Sequence, residues 1–399
     1  MNHWKLRAGV AGTTMMAAWL LLGSAPAGGT PPDQKPMTVE EIKEFLAEDG
    51  VHKAYVPEAP RGFSEDQVKK GIPEDNPLTR AKVFLGKQLY FDPRLSKDGT
   101  VSCASCHHPK FGFSDGQPTS KGIRGQRGGR NAPTVINRLF SHAQFWDGRA
   151  KSLEEQSLGP IANPIEMGNT VEEAVETVSS IKGYVIQFEA VFGTPEVTPE
   201  RMAKAMAAYE RTVVSGNSVY DVHELATAYA NVDLEDEDLD EELVERVKSV
   251  LAEAKKRPMS ESAQRGKALF FGKANCSLCH TGANFTDELY WNIGVGMDAE
   301  KPDLGRYAVT KEEKDKGAFK TPTLRNIVDT APYMHDGKTK TLMEVMKFYN
   351  QGGEKNPWLS ERIKPLNLTE QEMKDVVEFM KTLSGEVQNV DEPRLPAKD

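Results

Sequence analysis

Apolar residues along the 399-residue chain recur with the spacing of helices, and the alternation that marks strands is nearly absent. The first periodic stretch is "TVEEIKEFLAEDG", in which Thr38 and Glu41 stand at the offset of a capping box. Two later stretches repeat each other. "PLTRAKVFLGKQLYFDPRLSKDGTVSCASCH" and "SESAQRGKALFFGKANCSLCH" each predict an amphipathic helix with basic residues and a buried aromatic pair, leading into a cysteine motif. The repeats also close alike. "TPERMAKAMAAYERTVVSG" and "LTEQEMKDVVEFMKTLSG" each predict a capped helix, apolar at i, i+3, i+4 and i+7, that stops at its glycine. The expected fold is mainly α and built on a duplicated helical module. Residues 77–225 and 259–386 form the two units, with an extension at 28–76, an acidic helical connector at 226–258 and a tail at 387–399.

Composition fits two ordinary domains with real cores, at 38% hydrophobic and 27% charged residues. The start of the chain has Lys5 and Arg7 before an apolar run, then a small-residue pattern at Ala25-Pro26-Ala27, and reads as an export signal over residues 1–27. The alternative is a retained membrane anchor, against which the short apolar run argues. No other segment is apolar and long enough to span, so no membrane span is expected after signal removal. Without the signal, 48 bases face 59 acids, a net charge of −11, which argues against a nucleic-acid partner and favours a basic one. Most of the excess lies at 233–245, with nine acids and no base. This is read as a solvated helical face or an insertion, with a docking patch as the alternative.

All four cysteines fall in two copies of C-x-x-C-H: Cys103, Cys106 and His107, then Cys276, Cys279 and His280. Two thiols on one turn can add across the two vinyl groups of one porphyrin, and the following imidazole then lies under the iron. A structural disulfide or a thioredoxin-like redox pair would leave each histidine unexplained, and the redox pair also lacks its βαβ context. Two covalently bound c-type haems are therefore expected, ligated by His107 and His280. The opposite face of each iron decides what the protein does: a carrier closes both, an enzyme leaves one open. His108 adjoins the proximal ligand and cannot reach round. The following loop to Ser141 holds neither histidine nor methionine. His142 is taken as a packing or surface residue, so an open first haem is predicted.

The stretch "RNAPTVINRLFSHAQFWDGRAKSLEEQSLGPIANPIEMG", with "TPTLRNIVDTAPYMHDG" and both haem motifs, resembles the bacterial di-haem cytochrome c peroxidases and their MauG-type relatives over residues 76–385. The resemblance implies two cytochrome c-like helical domains packed around an inter-haem interface. It also implies a periplasmic enzyme that reduces hydrogen peroxide at the first haem while the second stores or passes electrons. Trp146 resembles the tryptophan between the haems. Gln156, Pro160 and Glu166 match the distal-pocket positions, where Glu166 would be the acid–base residue. Asn131, with the carbonyls of Thr330 and Pro332, matches a calcium site, and neutral oxygen ligands suit that hard cation.

Two positions depart from the ordinary peroxidases. The histidine that closes their first haem, eight residues before the asparagine of the "NAPT" motif, is Ile123 here. The methionine on their second iron, fourteen residues after the histidine of "APYxH", is Tyr349, as in the MauG type. An oxygen ligand favours the higher oxidation states of iron. Leu342, Val345, Met346 and Tyr349 share one helical stripe, so Tyr349 as core, with Met346 or Met334 as the ligand, stays open. The expected function is a MauG-type peroxidase needing no reductive opening and acting on a residue of a partner protein. The alternatives are an ordinary peroxidase supplied by a small cytochrome c or copper protein, and a di-haem electron carrier. The MauG-type tryptophan that meets the protein substrate is Ala274 here.

Overall fold

A computed structural model describes residues 35–235 and 240–398. The expected export signal lies outside the described residues, as do 236–239 of the acidic stretch. Helices dominate, and the only strands among the described residues are three antiparallel pairs, each strand two residues long. No helix among the described residues is long and apolar enough to cross a membrane.

Each unit is organised by one crossing of two helices. In the first, Arg80–Phe91 packs on Pro199–Glu210, and the threonines at their N-caps accept from Lys82 N and Arg201 N. In the second, Glu261–Phe271 packs on Glu370–Lys381 behind Ser260 and Thr369. A glycine sits at each crossing. A Cβ on Gly86 would lie 1.8 Å from Ala205 O, and one on Gly266 equally 1.8 Å from Asp375 O, so only glycine lets the backbones approach this closely.

Three expectations about these helices need correction. Arg80–Phe91 is not amphipathic, since ten of its twelve residues are buried. Its lysines are buried with it: Lys82 donates to Pro77 O at 2.7 Å, and Lys87 to Asn389 at 2.8 Å and Asp391 at 2.7 Å. The second aromatic pair is split, because Phe270 is buried while Phe271 is 47% exposed. Nor do the closing helices run to their glycines. They end at Glu210 and Lys381, and Gly216 and Gly385 lie beyond, face to face where the units meet. A Cβ on Gly385 would come within 1.8 Å of Gly216 O, and the strand Ser215–Gly216 pairs there with Glu386–Val387.

The extension and the tail clasp each other. The predicted capping box at Thr38 and Glu41 forms, and the helix Val39–Leu46 lies against Lys182–Phe192. Met37 N donates to Leu395 O at 2.7 Å and Ala397 N to Met37 O at 3.0 Å, so the end of the second unit is strapped across the first. The connector helix Glu241–Lys256 buries Val247 and Val250 and packs on Val219–Ala228, leaving Glu241, Glu242 and Glu245 to solvent while Glu253 pairs with Arg61 of the extension.

Candidate functional site: two histidine-capped cavities

Both cysteine motifs fold alike. Cys103–Cys106 is a single helical turn and Cys276–Leu278 a 3₁₀ turn, and a buried phenylalanine, Phe113 or Phe285, stands in the loop after each motif. Phe113 and Phe285 hold left-handed backbone, at φ 58° and 50°, which turns their carbonyls back onto the imidazoles. His107 Nδ1 lies 3.3 Å from Phe113 O, and His280 Nδ1 3.0 Å from Phe285 O. That contact assigns the proton to Nδ1 and leaves Nε2 as the lone pair for a metal. Burial keeps both imidazoles below the ordinary histidine pKa, hence neutral. The two phenylalanines were missed in sequence. Their signal was the parallel between Phe113-Ser114-Asp115 and Phe285-Thr286-Asp287 after the two motifs.

No disulfide joins any of the four cysteines. Burial pushes each thiol up, Cys106 and Cys276 to about 12, the opposite of the depressed value that makes a redox pair reactive. Two protonated thiols beside one neutral imidazole, at the wall of a cavity, are a donor set that fits a covalently held haem. His107 lines a cavity of about 460 Å³ and His280 one of about 220 Å³.

The distal walls are also duplicated. A tight turn bridged at Gln144 and Ala150 precedes the helix Leu153–Ala162, and one bridged at Tyr333 and Thr339 precedes Leu342–Asn350. The caps correspond, Ser152 and Thr341, so the eighth helical residue is Pro160 in one unit and Tyr349 in the other. Each lines its own cavity. Proline offers no side-chain donor atom to a metal, whereas tyrosine offers an oxygen.

Gln156 and Glu166 join Pro160 on the first cavity. Asn163 Nδ2 donates to Glu166 Oε1 at 2.8 Å. Burial raises the Glu166 pKa, with the Arg149 charge and the Asn163 bond acting against it. Ile123 does not line the cavity; it is 3% exposed, in the apolar core of the unit, with its N–H on Glu166 O at 2.9 Å. His142 is exposed and apart from both cavities. On the second cavity stand Tyr349, whose phenol burial pushes up, and Met334. Met346 is 2% exposed and packs into the core instead.

Trp146 lines both cavities and donates from Nε1 to Asn131 O at 2.8 Å. Asn131, Thr330 and Pro332 come together on the second cavity, and Asn131 spends its Nδ2 on Gln117 O at 2.8 Å. No group of three or more His, Cys, Asp or Glu side chains is gathered as a metal site among the described residues.

The profile described as "Di-haem cytochrome c peroxidase" matches residues 80–227, and that for "Cytochrome c" matches 263–384. The chain is 38% identical over 327 residues to the methylamine utilization protein MauG of Methylorubrum extorquens, covering 81% of this chain and 84% of that one. It belongs to the di-haem cytochrome c peroxidase family. It is thus an oxidoreductase of a family with two c-type haems. Cytochrome c551 peroxidase of Nitrosomonas europaea is 37% identical over 333 residues, with 82% and 86% covered. Among solved structures, a MauG-like protein associated with microbial copper homeostasis superposes with a TM-score of 0.68 at 30% identity, covering 85% of this chain and 96% of that one.

Proposed function

We propose that this family member is a periplasmic, MauG-type peroxidase whose first haem is open to hydrogen peroxide in the resting state. The observation that carries this reading is the pairing of Pro160 with Tyr349 at one and the same place in the two modules. MauG and the cytochrome c551 peroxidase are almost equally similar to the chain, so the distinction rests on the site. The core placement of Ile123 supports it further, because nothing at that position reaches toward the cavity.

Bound haem supplies the iron at which peroxide is reduced in the first unit and a second redox centre beyond it. The chain's residues do the rest. Glu166 takes the proton from one peroxide oxygen and returns it to the other, with Asn163 holding the carboxyl in place. Gln156 orients the substrate. Tyr349, on the wall of the second cavity, would offer the second haem an oxygen donor, and Trp146, which lines both cavities, would provide a path for charge between them. Asn131 Oδ1 with the Thr330 and Pro332 carbonyls would hold a calcium ion, since the Asn131 amide nitrogen is already committed. The partner is a periplasmic electron donor or protein substrate. Ala274 is buried at 3% exposure, so that partner finds no indole there.

The test is to add hydrogen peroxide to the resting diferric protein and follow both haem spectra. Reaction without prior reduction is expected. Reaction only after one-electron reduction would make an ordinary cytochrome c peroxidase the better account, and two six-coordinate low-spin haems at rest would point to a carrier.

A further inference from the structure

Among the described residues, two of the three buried guanidinium groups have carboxylate partners. Arg325 has Asp221 at 2.6 Å and Arg211 has Glu154 at 2.6 Å, and the half-buried Arg130 likewise has Asp147 at 2.7 Å. Arg138 is the exception. It is 8% exposed, in the turn Arg138–Phe140, and lines both cavities. Its Nε is buried with no hydrogen-bond partner, and among the described residues its guanidinium forms no ion pair. Arginine cannot escape by losing its proton, so a bare guanidinium here would carry the full penalty of a buried, unpaired charge.

The acids whose charge Arg138 feels are Glu288 and Glu210, and neither closes on it. Glu288 accepts from Lys320 Nζ at 3.0 Å and from Ser141 at 2.9 Å. Glu210 lies in the wall of the first cavity, and burial pushes its carboxyl up to about 8. Below that pH it stays neutral and offers no counter-charge. The missing anion must therefore come with what fills the cavities. A haem brings two propionates, and the planar fork of arginine matches a carboxylate with two parallel hydrogen bonds.

We propose that Arg138 is a haem-carboxylate site in the wall common to both cavities, holding a propionate and placing a positive charge between the two haems. This rests on the two-haem reading and not on the MauG-type assignment. Lys320 continues the same charged wall: its backbone N–H donates to Trp146 O at 2.8 Å, so the cluster also adjoins the indole shared by the cavities. Because Arg138 belongs to the first unit, in the turn Arg138–Phe140, and lines the His107 cavity, the first haem should respond most. Positive charge stabilises the reduced iron relative to the oxidised one, so its removal lowers the midpoint potential.

Arg138→Gln and Arg138→Lys, purified with their haems, test this by spectroelectrochemical titration and by the propionate bending bands in resonance Raman spectra. Mass spectrometry first establishes two haems in the wild type, and their absence would overturn the haem reading itself. With two haems present, Arg138→Gln should lower the potential of the first haem and shift a propionate band. Arg138→Lys should restore the potential but not the band, because an ammonium keeps the charge without the fork. Unchanged potentials and unchanged bands in Arg138→Gln would overturn the assignment of Arg138. If that variant does not retain its haems, a wild-type propionate band in Arg138→Lys would overturn it equally.

Discussion

Under the proposed function, Glu166 and Tyr349 carry the chemistry at the scale of single residues. A carboxyl that shuttles a proton must be ionised to accept one, and burial raises the pKa of Glu166. Its acid limb in a pH–rate profile should thus lie above the ordinary glutamate value of about 4.3, with the rate falling as pH drops through it. Glu166→Gln should slow the reaction with peroxide by roughly 10²- to 10⁴-fold and abolish that limb, measured by stopped-flow absorption. Arg149→Met removes a charge that holds the pKa down, so the limb should move to higher pH. At the second haem, Tyr349→Phe should change the resting spectrum. Met346→Leu should leave it alone and destabilise the protein by less than about 1.5 kcal/mol, since Met346 only fills core. The reverse pattern would mean that methionine is the ligand.

Among the elements, what the sequence made legible was local. The capping box at Thr38, the helices that open and close the two modules and the cysteine turns each depend on residues a few positions apart, whereas the pairing of those helices does not. What stayed hidden depends on distant partners. Lys82 and Lys87 read as a solvent face, yet Lys87 is buried because Asn389 and Asp391 reach it from the other end of the chain. Pro160 and Tyr349 were each picked out by family resemblance, whereas their equivalence emerges only once both caps are located. The glycines at the crossings offer a test at this scale. Gly86→Ala and Gly266→Ala should each force a helix pair apart and destabilise by about 1–3 kcal/mol, the usual range for overpacking. Denaturant unfolding followed in the far ultraviolet would check this; wild-type midpoints would mean that the helices can slide.

For the molecule as a whole, the decisive joint is the pair Arg325 and Asp221, bonded at 2.6 and 2.8 Å with side chains 1% and 2% exposed. It gathers three parts of the chain. Asp221 belongs to the helix Val219–Ala228 at the end of the first unit. Arg325 belongs to the second unit, and its guanidinium lies 5.2 Å from the Phe63 ring of the extension and 5.3 Å from that of Phe285. Phe285 in turn holds the imidazole of His280. Removing one charge of such a pair strands the other in the core, so Arg325→Met or Asp221→Leu alone should destabilise by about 3–5 kcal/mol. Replacing both with apolar side chains leaves no stranded charge and should recover most of that loss, giving a large coupling in a double-mutant cycle. The singles should also loosen His280, seen as a shift in the second haem's spectrum and not the first's. Additive losses without coupling would show that the residues act separately, and that the joint between extension, first unit and second haem lies elsewhere.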